Sequence, residues 1–123
     1  MLSTFHVIIA DDDDGVRGLI ARVVARTYAT VTISAVTNGL DALRIYDQSS
    51  ADLLITNQDM PGISGLGLVE ALRVVRLATL PIVMVSADLR IEPRALALGV
   101  TRFVAKPFTL TQLAQVLTSL LPP

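Results

Sequence analysis

The chain has no cysteine, no tryptophan, a single histidine and a single lysine, and only 4% of its residues are aromatic. Without cysteine there are no disulfides and no thiolate metal sites, a composition compatible with a reducing cytoplasm. The shortage of aromatics leaves the core to Leu, Val, Ile and Ala within a hydrophobic content of 52%, and such aliphatic richness suits a buried parallel sheet. An excess of either charge is missing too. Ten basic residues face eleven acidic ones, for a net charge of −1, so there is no overall basic field to hold nucleic acid or an anionic membrane. No apolar run reaches about 18 residues, and Met1-Leu2-Ser3-Thr4-Phe5-His6 has no basic n-region, which argues against a spanning helix and a signal peptide. A soluble cytoplasmic protein is expected. At 123 residues the chain is long enough for one real core, and no linker, repeat or low-complexity tract divides it, so residues 1–123 read as a single domain.

What is present is an alternation of short apolar runs with segments of helical period, the pattern of strands and helices around a parallel sheet. The strand candidates are Phe5 to Ala10, Val31 to Val36, Leu53 to Asn57, Ile82 to Ser86 and Phe103 to Ala105. The second is less apolar than the others, which suits a place near an edge. Between them, Val16, Leu19, Ile20, Val23 and Val24 share one helical face with Arg17, Arg22 and Arg26 off it. The following helices carry Leu40, Leu43 and Tyr46, then Leu66, Val69, Leu72 and Val75. A short helix is expected to start near Pro93, where a missing N–H costs nothing, and to end at Gly99 in a left-handed cap. Leu110, Leu113, Leu117 and Leu120 line the last helix before Pro122-Pro123. Met60 and Met84 read as gap-filling core residues.

In an open parallel sheet, ligands bind beyond the carboxyl ends of the strands. Polar residues stand at four such ends: Asp11 and Asp12, Asn57 with Asp59, Ser86, and Lys106. Asp13 and Asp14 are better placed to cap the next helix. No Ser-His-Asp triad, Walker loop or Gly-rich dinucleotide turn assembles, and Gly62, Gly65 and Gly67 follow a Pro turn, not the first strand. His6 has no Cys or second His with which to share a metal and reads as structural.

Three features together, the Asp11-Asp12 pair after the first strand, Leu53-Leu54-Ile55-Thr56-Asn57-Gln58-Asp59-Met60-Pro61-Gly62, and Lys106-Pro107-Phe108 after the fifth, resemble the response-regulator receiver domains of two-component signalling. The resemblance covers essentially the whole chain. It implies an α/β fold of flavodoxin-like (βα)5 type, a three-layer sandwich around a five-stranded parallel sheet in the order 2-1-3-4-5. It also implies that Asn57 occupies the phosphoacceptor position, where the family carries an aspartate. Asp12 would bind magnesium directly, Asp11 largely through water, and Asp59 through its backbone carbonyl. Lys106 would pair with carboxylates or a phosphoryl oxygen, Ser86 would sense the phosphoryl group, Phe103 would be the switch aromatic, and the peptide before Pro107 would be cis.

Two departures from the family pattern bear on function. An amide oxygen, unlike a carboxylate oxygen, carries no formal negative charge and is a poor nucleophile, so phosphoryl acceptance is expected to be lost and magnesium to be held more weakly. Ser86 and Gly99 also stand closer together than in the family, which is expected to trim the loop or first turn of the fourth helix. The partners implied are a histidine kinase or phosphotransfer protein and a downstream effector, and a homodimer through the face of the fourth helix, fifth strand and fifth helix stays open. The chain is expected not to be an enzyme beyond self-catalysed phosphoryl acceptance, and no output domain is recognised. Two origins stay open for Asn57: a natural divergent receiver that works by protein contact, or an engineered replacement in an otherwise competent one. A flavodoxin-like cofactor enzyme is the third class, disfavoured because no phosphate-binding loop follows the first strand.

Overall fold

The computed structural model describes residues 4–123; the opening Met1-Leu2-Ser3, part of the stretch read as lacking a signal region, lies outside them. Strands β1 (Phe5–Ala10), β2 (Val31–Val36), β3 (Leu53–Asn57), β4 (Ile82–Ser86) and β5 (Arg102–Ala105) form one sheet in the order β2-β1-β3-β4-β5. Every neighbouring pair is parallel, with Val7 opposite Leu53, Asn57 opposite Val85 and Ser86 opposite Ala105. The expected fold class and strand order are those observed. β3 and β4 are buried along their whole length, whereas β2 and β5, at the edges, alternate with exposed positions.

Helices α1 (Asp14–Thr27), α2 (Gly39–Ser49), α3 (Gly65–Glu70) and α4 (Glu92–Leu98) fill the four crossovers, and α5 (Leu110–Leu120) follows β5. Because strand side chains alternate between faces, the sheet supports two cores. Ile8, Leu54, Ile82 and Met84 meet Leu43, Leu66, Val69, Leu72 and Ala95 from α2 to α4 on one side. On the other side, Val7, Ile9, Leu53, Ile55, Val83 and Val85 meet Ile20, Val23 and Val24 of α1 and Leu113 and Leu117 of α5. Each such side chain contributes about 1.5–3 kcal/mol by leaving water, so these two layers outweigh any surface ion pair. Among the described residues no helix is long and apolar enough to cross a membrane.

The helix starts are fixed by side-chain caps. Asp13, Asn38 and Ser64 accept from the backbone N–H of Val16, Asp41 and Gly67, and Thr109 forms a reciprocal capping box with Gln112. α4 follows a single 3-10 turn (Leu89–Ile91), carries Pro93 in its first turn, and ends at Gly99, whose φ of 110° is left-handed.

Three apolar residues expected on buried helix faces lie elsewhere. Val75 is 72% exposed because α3 continues as a π-helical turn (Ala71–Val75), in which the Arg76 N–H reaches the Ala71 carbonyl and the extra residue rotates Val75 outward. The Arg73 guanidinium, bonded to the carbonyls of Gly99 and Ala78, anchors that turn to the α4 cap. Leu40 is 52% exposed because α2 approaches the core through its buried Gly39, where a Cβ would come within 2.6 Å of Ile63, leaving the next residue off the face. Leu110 is 42% exposed at the first turn of α5, while Phe108 packs against the core there.

The start of α3 lies hard against the end of β3. A Cβ on Gly65 would collide with the Asn57 carbonyl oxygen and come within 2.9 Å of the Gln58 Cα, whereas one on Gly18, inside α1, would meet nothing within 4 Å. Gly65→Ala is therefore expected to lose about 1–3 kcal/mol in urea unfolding through overpacking. Gly18→Ala should gain about 0.5–1 kcal/mol from helix propensity in the same measurement.

Candidate functional site

The sheet brings the carboxyl ends of β1, β3, β4 and β5 to one edge. Asp11, immediately after β1, is 0% exposed, and its backbone N–H is held by the Val36 carbonyl. Its Oδ1 accepts from the Asp13 N–H at 2.9 Å; its Oδ2 has no hydrogen-bond donor, with the Lys106 Nζ 3.7 Å away. Burial pushes the Asp11 carboxyl above its ordinary 3.8, against the pull of the Asp13 N–H and Lys106, and the charges of Asp12 and Asp13 add to the rise.

Asn57 closes β3 and is nearly buried. Its Oδ1 accepts from Lys106 Nζ at 3.0 Å, and its Nδ2 donates to the Asp59 carbonyl at 2.8 Å and, more weakly, to Asp12 Oδ1 at 3.4 Å. The chemistry dictates this orientation: turned the other way, the amide would set N–H donors against an ammonium and an acceptor against two oxygens. Thr56, fully buried, donates to the Asn57 carbonyl, and Gln58 accepts the Leu66 N–H, so the strand end is fixed from both sides.

Lys106 arrives from the end of β5, where its own N–H bonds the Ser86 carbonyl and the peptide bond to Pro107 is cis. Asp11, Asp12, Asn57, the Asp59 carbonyl and Lys106 thus converge. The Ser86 hydroxyl, by contrast, accepts from the Asp88 N–H at 3.0 Å and shapes the turn after β4. Phe103 is half-buried on β5 and lines a groove of about 540 Å³ with Arg102, Gln112 and Val116. His6 lies at the amino end of β1, with its ring nitrogens on the Ser50 carbonyl and the Ser34 hydroxyl.

Sequence reasoning missed Arg17, whose Nη1 reaches back from α1 to the Asp11 carbonyl at 3.0 Å while Nη2 pairs with Asp14. The signal was available in the i,i+3 spacing of Asp14 and Arg17, which lays the guanidinium along the helix start. Gly65 was missed as well, since only the folded chain brings it against Asn57.

Among the described residues no three His, Asp or Glu side chains gather around one point. The oxygen set is instead two carboxylates and one carbonyl, from Asp11, Asp12 and Asp59. A small hard cation that keeps several waters fits such a set. The orphaned Asp11 Oδ2 is the acceptor that a cation or its water would satisfy.

Residues 7–118 match the response regulator receiver domain family. The chain belongs to that family. The receiver is 35% identical to a chemotaxis protein CheY of Pseudomonas aeruginosa over 84% of its own length and 85% of that protein. It is 30% identical to a probable transcriptional regulator, ycf27, of Cyanidium caldarium, over 94% of its length but only 46% of the relative's. Among solved structures, a putative response regulator from Chloroflexus aurantiacus superposes with a TM-score of 0.88 at 27% identity, covering 98% of the receiver and 100% of that chain. Chemotaxis response regulator CheY4 of Vibrio cholerae shares the fold at 23% identity, with a TM-score of 0.86 and coverage of 97% and 100%.

The raised carboxyl of Asp11 gives this receiver a pH signature. The folded protein holds a proton that the unfolded chain has released, so stability falls as pH rises from the ordinary carboxyl value of 3.8 through the higher folded value. Measured by urea midpoints in chelator, Asp11→Asn should be more stable than the parent at neutral pH, and the advantage should vanish in acid below that window. A variant less stable at neutral pH would show that Lys106 more than offsets the cost of burying the charge.

Proposed function

We propose that this chain is a receiver module whose phosphoryl acceptance is disabled at Asn57 and which signals by protein contact. The observation that supports this best is the identity and setting of Asn57. It ends β3 between the acidic residues after β1 and the lysine after β5, and the group it offers there is an amide. In phosphoryl acceptance a carboxylate oxygen attacks phosphorus, the bond from phosphorus to the donor's nitrogen or oxygen breaks, and the leaving group takes up a proton. The Asn57 oxygen carries no formal negative charge and is already engaged by Lys106, and attack through it would leave a cationic imidate, so it is a poor attacking atom.

Receiver domains generally bind magnesium in their acidic pocket. In this chain Asp11, Asp12 and the Asp59 carbonyl would hold the ion, and with one carboxylate fewer at position 57 they would hold it more weakly. When bound, magnesium neutralises charge developing on phosphoryl oxygens. Lys106 would hold the negative group at position 57 in place, Ser86 would have to leave its turn to reach it, and Phe103 would follow as the switch aromatic. The partners are a histidine kinase or phosphotransfer protein and a downstream effector, met on the face of α4, β5 and α5 where Leu96 and the groove beside Phe103 are open; a homodimer would use the same face. No catalytic turnover belongs to this domain.

A second reading, an engineered Asp-to-Asn form of a competent receiver, is favoured by one observation. Lys106 and Asp11 are aimed into the pocket, and Asp11 keeps an unmet buried oxygen there, as a working site would.

Incubation with acetyl phosphate or phosphoramidate and magnesium should leave the intact mass of this chain unchanged. Asn57→Asp should gain one phosphoryl group, and adding Lys106→Ala to it should slow labelling on the order of a hundredfold. An adduct on the unaltered chain, mapped to Asp59 or elsewhere in the pocket, would contradict the proposal.

A further inference from the structure

The carboxamide nitrogen of Asn57 lies among the oxygens to which a cation would bind. Its two N–H groups point to the Asp59 carbonyl at 2.8 Å and to Asp12 Oδ1 at 3.4 Å, two of the three oxygen donors of the set, while its oxygen is held by Lys106 at 3.0 Å. We propose that the Asn57 amide is a built-in stand-in for the divalent ion, bridging Asp12 to Asp59 by hydrogen bonds and obstructing magnesium by occupying its ligands. This rests on the reading of Asn57 as the residue at a receiver's acceptor position, and it adds a specific competition to the loss of charge.

The physical case has three parts. A divalent ion needs lone pairs of the Asp59 carbonyl and the Asp12 carboxylate directed at itself, and each N–H donor already directs one elsewhere. The amide cannot swing aside freely, because its oxygen would leave the Lys106 ammonium and its strand end is fixed by Thr56, Gln58 and the Gly65 backbone. Nor can it flip, because the flipped amide would set its N–H groups against the ammonium. Asp11 is the member of the set left outside the bridge, which matches its unpartnered Oδ2.

Loss of charge and occupation by the amide make opposite predictions for one variant. Asn57→Ala has the same charge as the native chain but no amide. If charge alone weakened the ion, Asn57→Ala would bind magnesium no more tightly than the native chain, and it would lack an amide oxygen as a ligand. If the amide competes, its removal should tighten binding by about tenfold, the worth of a hydrogen bond to a charged or carbonyl acceptor.

The experiment is a titration of the native chain, Asn57→Ala and Asn57→Asp with magnesium chloride, by calorimetry and by melting temperature against chelator controls. The expected order of affinity is native weakest, Asn57→Ala about tenfold tighter, and Asn57→Asp tightest. Asn57→Ala binding no tighter than native, with Asn57→Asp clearly binding, would overturn the stand-in and leave the receiver reading standing. Asn57→Asp blind to magnesium would remove the pocket reading and the stand-in with it. Should Asn57→Ala fail to fold, the native chain still decides. Its Asn57 side-chain amide protons should be slow to exchange and unmoved by millimolar magnesium in nitrogen-15 spectra, and fast exchange with solvent would overturn the proposal.

Discussion

All the chemistry of this molecule depends on one constraint, that its sheet is parallel and covered on both faces. β3 and β4 are buried at every position, so polar side chains are excluded along them and gather only where the strands stop. Because every crossover carries the chain back to the amino end of the next strand, the carboxyl ends of β1, β3, β4 and β5 all lie at one edge, and residues far apart in sequence meet there. The contact from Lys106 to Asn57 joins residues 49 apart and that from Asn57 to Asp12 spans 45. The apolar layers position these groups, and the polar contacts among them add little to stability by comparison.

That placement has a cost at Asp11. A carboxylate with no exposure and only one hydrogen-bonded oxygen is an unfavourable thing to bury, and the lysine 3.7 Å away offsets the cost only in part. The chain keeps this oxygen without a hydrogen-bond donor beside an amide whose own donors and acceptor are all met. The contrast separates two kinds of residue in the pocket: Asp11 keeps one oxygen without a hydrogen-bond donor, and Asn57 is satisfied from within.

Much of this was legible in the sequence because it depends on pattern. β1 to β4 begin and end where the apolar runs do, β5 differs only in including Arg102, and the caps at Asp13 and Gly99 follow from residue type. The strand order came from the family resemblance, since periodicity alone does not fix which strands are neighbours. Helix faces were legible only where the helix is regular and starts clear of a neighbour. The π-turn after Glu70 moved Val75 out of phase, and buried Gly39 turned Leu40 away. In the pocket, residue types pointed to Asp11, Asp12, Asn57 and Lys106, which do meet, and to Ser86, whose hydroxyl turns to Asp88 instead; they did not show how these groups are partnered. Nothing in the order of letters shows that the Ser86 hydroxyl is engaged by Asp88, that Arg17 folds back onto Asp11, or that position 65 has room only for a glycine beside the Asn57 carbonyl.

On the function proposed for this chain, the assembled pocket does not throw a switch, because the group that would carry the phosphoryl charge is an amide. Beryllofluoride, whose tetrahedral shape and charge imitate a phosphoryl group, tests it most directly. In two-dimensional NMR spectra with magnesium, beryllofluoride should leave the resonances of Ser86, Phe103, α4 and α5 of this chain unmoved, while the same addition to Asn57→Asp shifts them broadly. Broad shifts in the unaltered chain would contradict the account, since they would show that the pocket binds the mimic and changes state without its carboxylate.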